Sequence, residues 1–161
     1  SAAGGGLGSA GFIVYDDSRN MVDVAHRVAR FLHVESCGQC TPCKTGSGAV
    51  NTAFEQLVLD GALGSRASNE LERALQTITD GSRCFLPQQV RTVIPSLLAA
   101  FPDDLEERLA GRTGDVDVPF PKLVDLADGV ATVDESIDRK LPDWTYSEVP
   151  VRLGRRAEPT A

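Results

Sequence analysis

Four cysteines carry most of the chemistry this chain of 161 residues can do. Cys37, Cys40 and Cys43 form a C-x2-C-x2-C run, and Cys84 follows after forty intervening residues. A spacing of two lets one tight loop turn three sulfurs toward one point, and a distant loop can bring a fourth to close the cage. Thiolates are soft ligands that suit iron–sulfur clusters and zinc. Four cysteines are the usual complement of a cluster. A structural zinc ion usually takes two separate C-x2-C-type pairs, so three successive cysteines plus a remote one fit a 4Fe–4S cubane better than a tetrahedral ion. Zinc and a disulfide framework are the alternatives. Disulfides fit least, because the chain is neither small nor cysteine-dense.

The neighbours of these cysteines suit a negatively charged cluster. Cys43 is expected in the first turn of a helix, where free N–H groups favour negative charge. Gly38 lets backbone approach the sulfurs closely. Lys44 and Arg83 each adjoin a cysteine, and their charges would raise a reduction potential unless they are ordinary solvated cations. His26 and His33 are seven apart, a poor spacing for a shared metal, and read as surface or capping histidines. Ser36 lacks the G-x-S-x-G context of a nucleophile. Asp103, Asp104, Glu106 and Glu107 read as a solvated face. Gly6-Leu7-Gly8-Ser9-Ala10-Gly11 matches G-x-G-x-x-G in letters only, since a dinucleotide loop needs a strand before it and a helix directly after.

The elements expected to position these residues are mostly helical. Residues 1–18 read as a Gly-rich lead-in ending a preceding domain, with a short strand over 11–15. Residues 19–111 read as a helical, four-helix bundle-like cluster domain. Its first helix covers 19–34, with Asp16, Asp17 or Ser18 as N-cap and a polar face of Asp23, Arg27 and Arg30. The second covers 42–59, with Thr41 as N-cap and Pro42 at the first position. Gly46 and Gly48 each lower helix propensity there by about 1 kcal/mol, and the metal site is expected to hold that turn together. The third helix is capped by Ser68 and runs to about Thr79. The fourth starts at Pro87 and is kinked by Pro95. A short charged helix ends near Leu109. Residues 112–161 read as an irregular C-terminal extension, with a small hairpin turning at Asp128-Gly129 and Trp144 and Tyr146 as anchors.

Composition excludes some partners. The net charge of −7 argues against nucleic acid or an anionic membrane surface. No apolar run approaches the roughly 18 residues of a membrane span. A cytoplasmic protein is the expectation. The chain opens at Ser1 without Met, which reads as an interior piece of a longer polypeptide or a processed product.

The segment Glu35-Ser36-Cys37-Gly38-Gln39-Cys40-Thr41-Pro42-Cys43 resembles the cluster motif of the NADH-binding flavoprotein subunit of respiratory complex I. The related subunits of NAD-linked formate dehydrogenases and hydrogenases carry the same motif. Gly6 to Val14 is similar to the stretch leading into that domain, and Cys84 matches the fourth ligand in order and approximate separation. The resemblance implies a 4Fe–4S cluster on Cys37, Cys40, Cys43 and Cys84. The cluster would relay electrons from a flavin reduced by NADH to a further iron–sulfur centre. It also implies partner subunits, including a 2Fe–2S ferredoxin-like one, and peripheral attachment to the cytoplasmic membrane through them. FMN and NADH belong to an upstream domain, so no catalytic residue is assigned and this piece alone should not oxidise NADH. The sequence departs from the complex I pattern at Lys44-Thr45, at Phe85-Leu86-Pro87 and in the tail around Asp143-Trp144-Thr145-Tyr146. These departures put the electron acceptor in doubt, not the cluster. The opposing readings are a zinc-stabilised interaction module without redox activity and a redox sensor that loses its cluster on oxidation.

Overall fold

Asn20 opens the first helix, because its side-chain oxygen accepts from Val22 N at 2.9 Å and satisfies a helix-end donor. Asp16, one of the expected caps, is used otherwise: its carboxylate accepts from Ser18 N at 3.1 Å in a local turn. The computed structural model describes residues 12–134 and 137–140. Their element order is α1 (Met21–Glu35), α2 (Thr41–Asp60), α3 (Ser65–Thr77), α4 (Leu86–Ala100), α5 (Pro102–Leu109), β1 (Leu123–Ala127) and β2 (Val130–Val133). The fold is thus mostly α, with five helices and one two-stranded sheet among the described residues. The expected anchors Trp144 and Tyr146, and Gly6 to Gly11, lie outside the described residues.

The core forms where the apolar stripes of the helices meet. Val22, Ala25, Ala29 and Leu32 of α1 face Val50, Phe54, Leu57 and Val58 of α2, with Ala74, Ile78, Val90 and Ile94 completing the cluster. α2 packs on α1 and α3, and α1 packs also on α4 and α5. Pro95 lies on the exposed side of α4, which continues to Ala100. β1 and β2 pair antiparallel across Asp128-Gly129, whose positive φ angles of 52° and 77° give the turn.

Several expectations need correction. No strand forms over residues 12–15. Phe12 and Val14 are 76% and 90% exposed, and the segment pairs with no strand among the described residues, its Tyr15 hydroxyl instead donating to Pro119 O at 2.7 Å. α3 starts at Ser65, three residues before the expected cap, with extended Gly64 leading in. Asp23 is buried, not part of a solvated face. Its carboxylate takes Arg108 Nε at 2.9 Å and Nη2 at 2.7 Å, and Asp115 N at 2.9 Å. Of the four acidic residues of α5, Asp103 and Glu106 are exposed as expected, whereas Asp104 accepts from Met21 N at 2.6 Å and Glu107 pairs with Arg112 at 2.5 Å.

Gly46 has a packing reason of its own. A Cβ there would lie 2.9 Å from Ile78 Cγ1, and Ile78 is fully buried. Gly46→Ala should therefore lose stability although alanine is the better helix former. The propensity gain of about 1 kcal/mol is offset by an overpacking cost of roughly 1–3 kcal/mol. A net loss of about 1 kcal/mol, read from urea midpoints, is expected; a stabilised variant would mean that Ile78 can move aside.

His26 is not at the surface. It is 3% exposed, and neither ring nitrogen has a hydrogen-bond partner among the described residues. Burial holds its pKa below the ordinary value near 6.5. The unfolded chain then takes up a proton before the folded one. Stability is fullest above about pH 6.5 and is lost as pH falls toward the lowered folded pKa. Denaturation midpoints should drop between about pH 7.5 and 5.5, and His26→Leu should flatten that drop.

Candidate iron–sulfur site

The end of α1 delivers the chain into the cysteine loop. Ser36 is its C-cap, extended at ψ 123°, with its N–H bonded to His33 O at 3.3 Å. Gly38, at φ +79°, then turns the chain between Cys37 and Cys40, in a region that disfavours any residue with a Cβ. Cys40, rather than the expected Thr41, is the N-cap of α2. Pro42 is then the second residue of the helix rather than the expected first, still in its first turn, and Cys43 follows it there. The cap makes no side-chain hydrogen bond to that turn. The first turn of α2 thus has no side-chain oxygen capping it, and a helix N-terminus of this kind favours an anion.

Cys84 comes from the loop between α3 and α4. Arg83 Nη1 donates to Gln39 Oε1 at 3.3 Å, tying the residue before Cys84 to the residue before Cys40. All four cysteines are free: Cys43 is buried, Cys40 half-buried, and Cys37 and Cys84 exposed. Burial pushes the Cys43 thiol up, and the Ser36 hydroxyl opposes this. Cys40 and Cys43 thus stand at the start of α2, and the Arg83–Gln39 contact ties the Cys84 loop to the loop that carries Cys37 and Cys40.

The donor set fits a cluster. It is four free thiols, soft ligands in the number a cluster usually takes, and among the described residues no three His, Cys, Asp or Glu side chains stand close enough to hold a metal ion as they lie. Neither histidine joins the cysteines. His26 lies in the core, and His33 Nδ1 is 3.2 Å from Ser47 Oγ.

Three residues escape a reading by sequence. Ser36 Oγ lies 3.6 Å from Cys43 Sγ, both residues being buried. Only its place beside Cys37 could have drawn notice. Gln39 acts through Arg83, which is thereby engaged rather than merely solvated. Lys140 Nζ donates to the Ser36 carbonyl from far along the chain, and no local pattern signals it.

A family model described as the NADH-ubiquinone oxidoreductase-F iron-sulfur binding region matches residues 23–108, just over half of the chain. The F subunit of NADH-quinone oxidoreductase from Rickettsia felis is 36% identical over 109 residues, covering 68% of this chain and 26% of that protein. Its namesake in Rickettsia massiliae is 35% identical over 107 residues, covering 66% of this chain and 25% of that one. The chain spans about a quarter of the length of these relatives. With all four cysteines inside the matched region, the chain belongs to the NADH-ubiquinone oxidoreductase-F iron–sulfur binding region family, whose cofactor is a 4Fe–4S cluster.

Proposed function

We propose that Cys37, Cys40, Cys43 and Cys84 hold the 4Fe–4S cluster and that the chain is an electron relay in a multi-subunit NADH-linked oxidoreductase. The observation that carries this reading is that the iron–sulfur family match over residues 23–108 spans all four cysteines, with Cys40 and Cys43 at the start of α2. When bound, the cluster takes up and gives back one electron at a time.

The residues around it have separable tasks. Buried Cys43 shields one side from water, and the first turn of α2 offsets negative charge. Cys37 and Cys84 are exposed, so a cluster held by them would be open on that side to a partner's redox group. The proposed donor is a flavin reduced by NADH, housed outside this chain. The proposed acceptor is a further iron–sulfur centre, with a 2Fe–2S ferredoxin-like subunit among the partners. No helix among the described residues is long and apolar enough to cross a membrane, which is compatible with attachment at the cytoplasmic membrane through partner subunits.

The test is metal and sulfide analysis of anaerobically purified chain, with low-temperature EPR after dithionite reduction. Roughly four iron and four sulfide per chain with a reduced-cubane signal supports the relay. Zinc without sulfide, and no signal, overturns it in favour of a colourless structural ion. NADH oxidation by this chain alone is not expected.

A further inference from the structure

Ser36 and Cys43 lie side by side under the cysteine loop, with Ser36 Oγ 3.6 Å from Cys43 Sγ and the two residues 4% and 7% exposed. Ser36 is held from two sides. Its N–H bonds to His33 O at 3.3 Å, and its carbonyl accepts from Lys140 Nζ. Lys140 stands outside the matched region 23–108. The extension that carries it is fastened along α1. Asp138 accepts from Arg27 at 2.7 Å and from Arg30 at 3.1 Å, Lys122 pairs with Glu35 at 2.5 Å, and the rings of Phe120 and Phe31 lie 5.0 Å apart. One physical path thus runs from the extension through Ser36 to the sulfur of Cys43.

We propose that Ser36 raises the reduction potential of the cluster by donating an O–H···S hydrogen bond to Cys43, and that Lys140 is the positioning residue that holds Ser36 there. This rests on Cys43 being a ligand, as proposed above. A ligating thiolate has no proton to give, so Ser36 must be the donor. Reduction adds one electron, from the flavin or from dithionite in the test, and moves no proton. The added negative charge spreads onto the ligating sulfurs. A fixed donor at Cys43 Sγ therefore stabilises the reduced form more than the oxidised form. Burial strengthens the bond, because little water competes for it. The Lys140 ammonium acts in the same direction by its charge. In this chain the extension is thereby coupled to the electron affinity of the site.

The experiment is a potentiometric titration of the full chain followed by EPR, with iron and sulfide measured on each sample. Ser36→Ala should retain iron and lower the reduction equilibrium constant about tenfold, a fall of about 59 mV for a one-electron couple. Lys140→Met should shift it in the same direction by less. Ser36→Thr and Lys140→Arg should restore most of the shift. In the wild type, exchange into deuterium oxide should move the iron–sulfur stretching bands, and Ser36→Ala should lose the part of that shift due to the hydroxyl. An unshifted potential in iron-replete Ser36→Ala overturns the proposal and leaves the cluster assignment standing. Should Ser36→Ala fail to hold iron, Lys140→Met carries the test from outside the loop, and an unchanged potential there overturns the positioning role. A wild-type chain without iron or sulfide removes the assignment and this proposal together.

Discussion

Cys84→Ser is expected to empty the site as completely as Cys40→Ser, although the two residues stand on different loops. Cys40 caps α2 and Cys84 lies in the loop before α4, yet each would supply one corner of the same cage. A serine hydroxyl is a hard, weakly acidic donor and a poor substitute for a soft thiolate on iron. Losing only a supporting partner of a metal ligand weakens affinity about 10–100-fold, so losing a ligand should reduce cluster content at least that much. Iron, sulfide and visible absorbance of anaerobically reconstituted samples provide the measurement. The helical circular dichroism of Cys84→Ser should change little, since Cys84 is exposed and the core lies elsewhere. An intact cubane signal in Cys84→Ser would assign the fourth ligand to another residue.

Arg108→Met is expected to be the most damaging substitution away from the cysteines. Arg108 and Asp23 are both buried and joined by two hydrogen bonds that tie α5 to α1. Removing the guanidinium leaves a buried carboxylate with only Asp115 N as a neutralising contact among the described residues. Breaking one side of a buried pair costs about 3–5 kcal/mol, a large share of the roughly 5–15 kcal/mol by which such a fold is stable. The pair as a whole is worth much less, because both charges gave up water to form it. Asp23→Leu combined with Arg108→Met should therefore recover most of the loss. About 1 kcal/mol should remain for the stranded Asp115 N–H. Urea denaturation of the two single variants and the double variant gives the coupling directly. If Arg108→Met proved as stable as wild type, the carboxylate would have found water, and the pair would not be holding α5.

The two predictions probe different links between sequence and structure. The cysteine pattern is readable because each cysteine must be a cysteine whatever surrounds it, and their spacing limits the loop that can hold them. The burial of Asp23 is not readable. On α1 it sits among Arg27 and Arg30 in a pattern that looks solvated, and its partner lies 85 residues away. Periodicity reports which face is apolar, and a carboxylate on the boundary is assigned to water by default. The burial of His26 escapes a sequence reading for the same reason.

The glycines give a similar lesson. In the sequence Gly46 looks like a weakness that a metal site would have to compensate. The close approach of Ile78 shows a position with no room for a Cβ, and helix propensity is the smaller effect there. The stretch Phe12 to Tyr15 reads as a strand from its apolar run alone. A strand needs a neighbour for its N–H and C=O groups, and whether one exists is a tertiary fact.

What the sequence determined by itself is what depends on neighbours along the chain. The helices over Met21–Glu35 and Thr41–Asp60 follow from local periodicity, and the hairpin turn from Asp128-Gly129. The donor chemistry follows from four thiols at recognisable spacing. Tertiary structure alone decided the pairing of Asp23 with Arg108, the reach of Lys140 to the Ser36 carbonyl, and the placing of the Ser36 hydroxyl beside Cys43. Such contacts join residues that no local pattern relates. They exist because packing the apolar faces of the helices fixes where every polar side chain at the margins must find its partner.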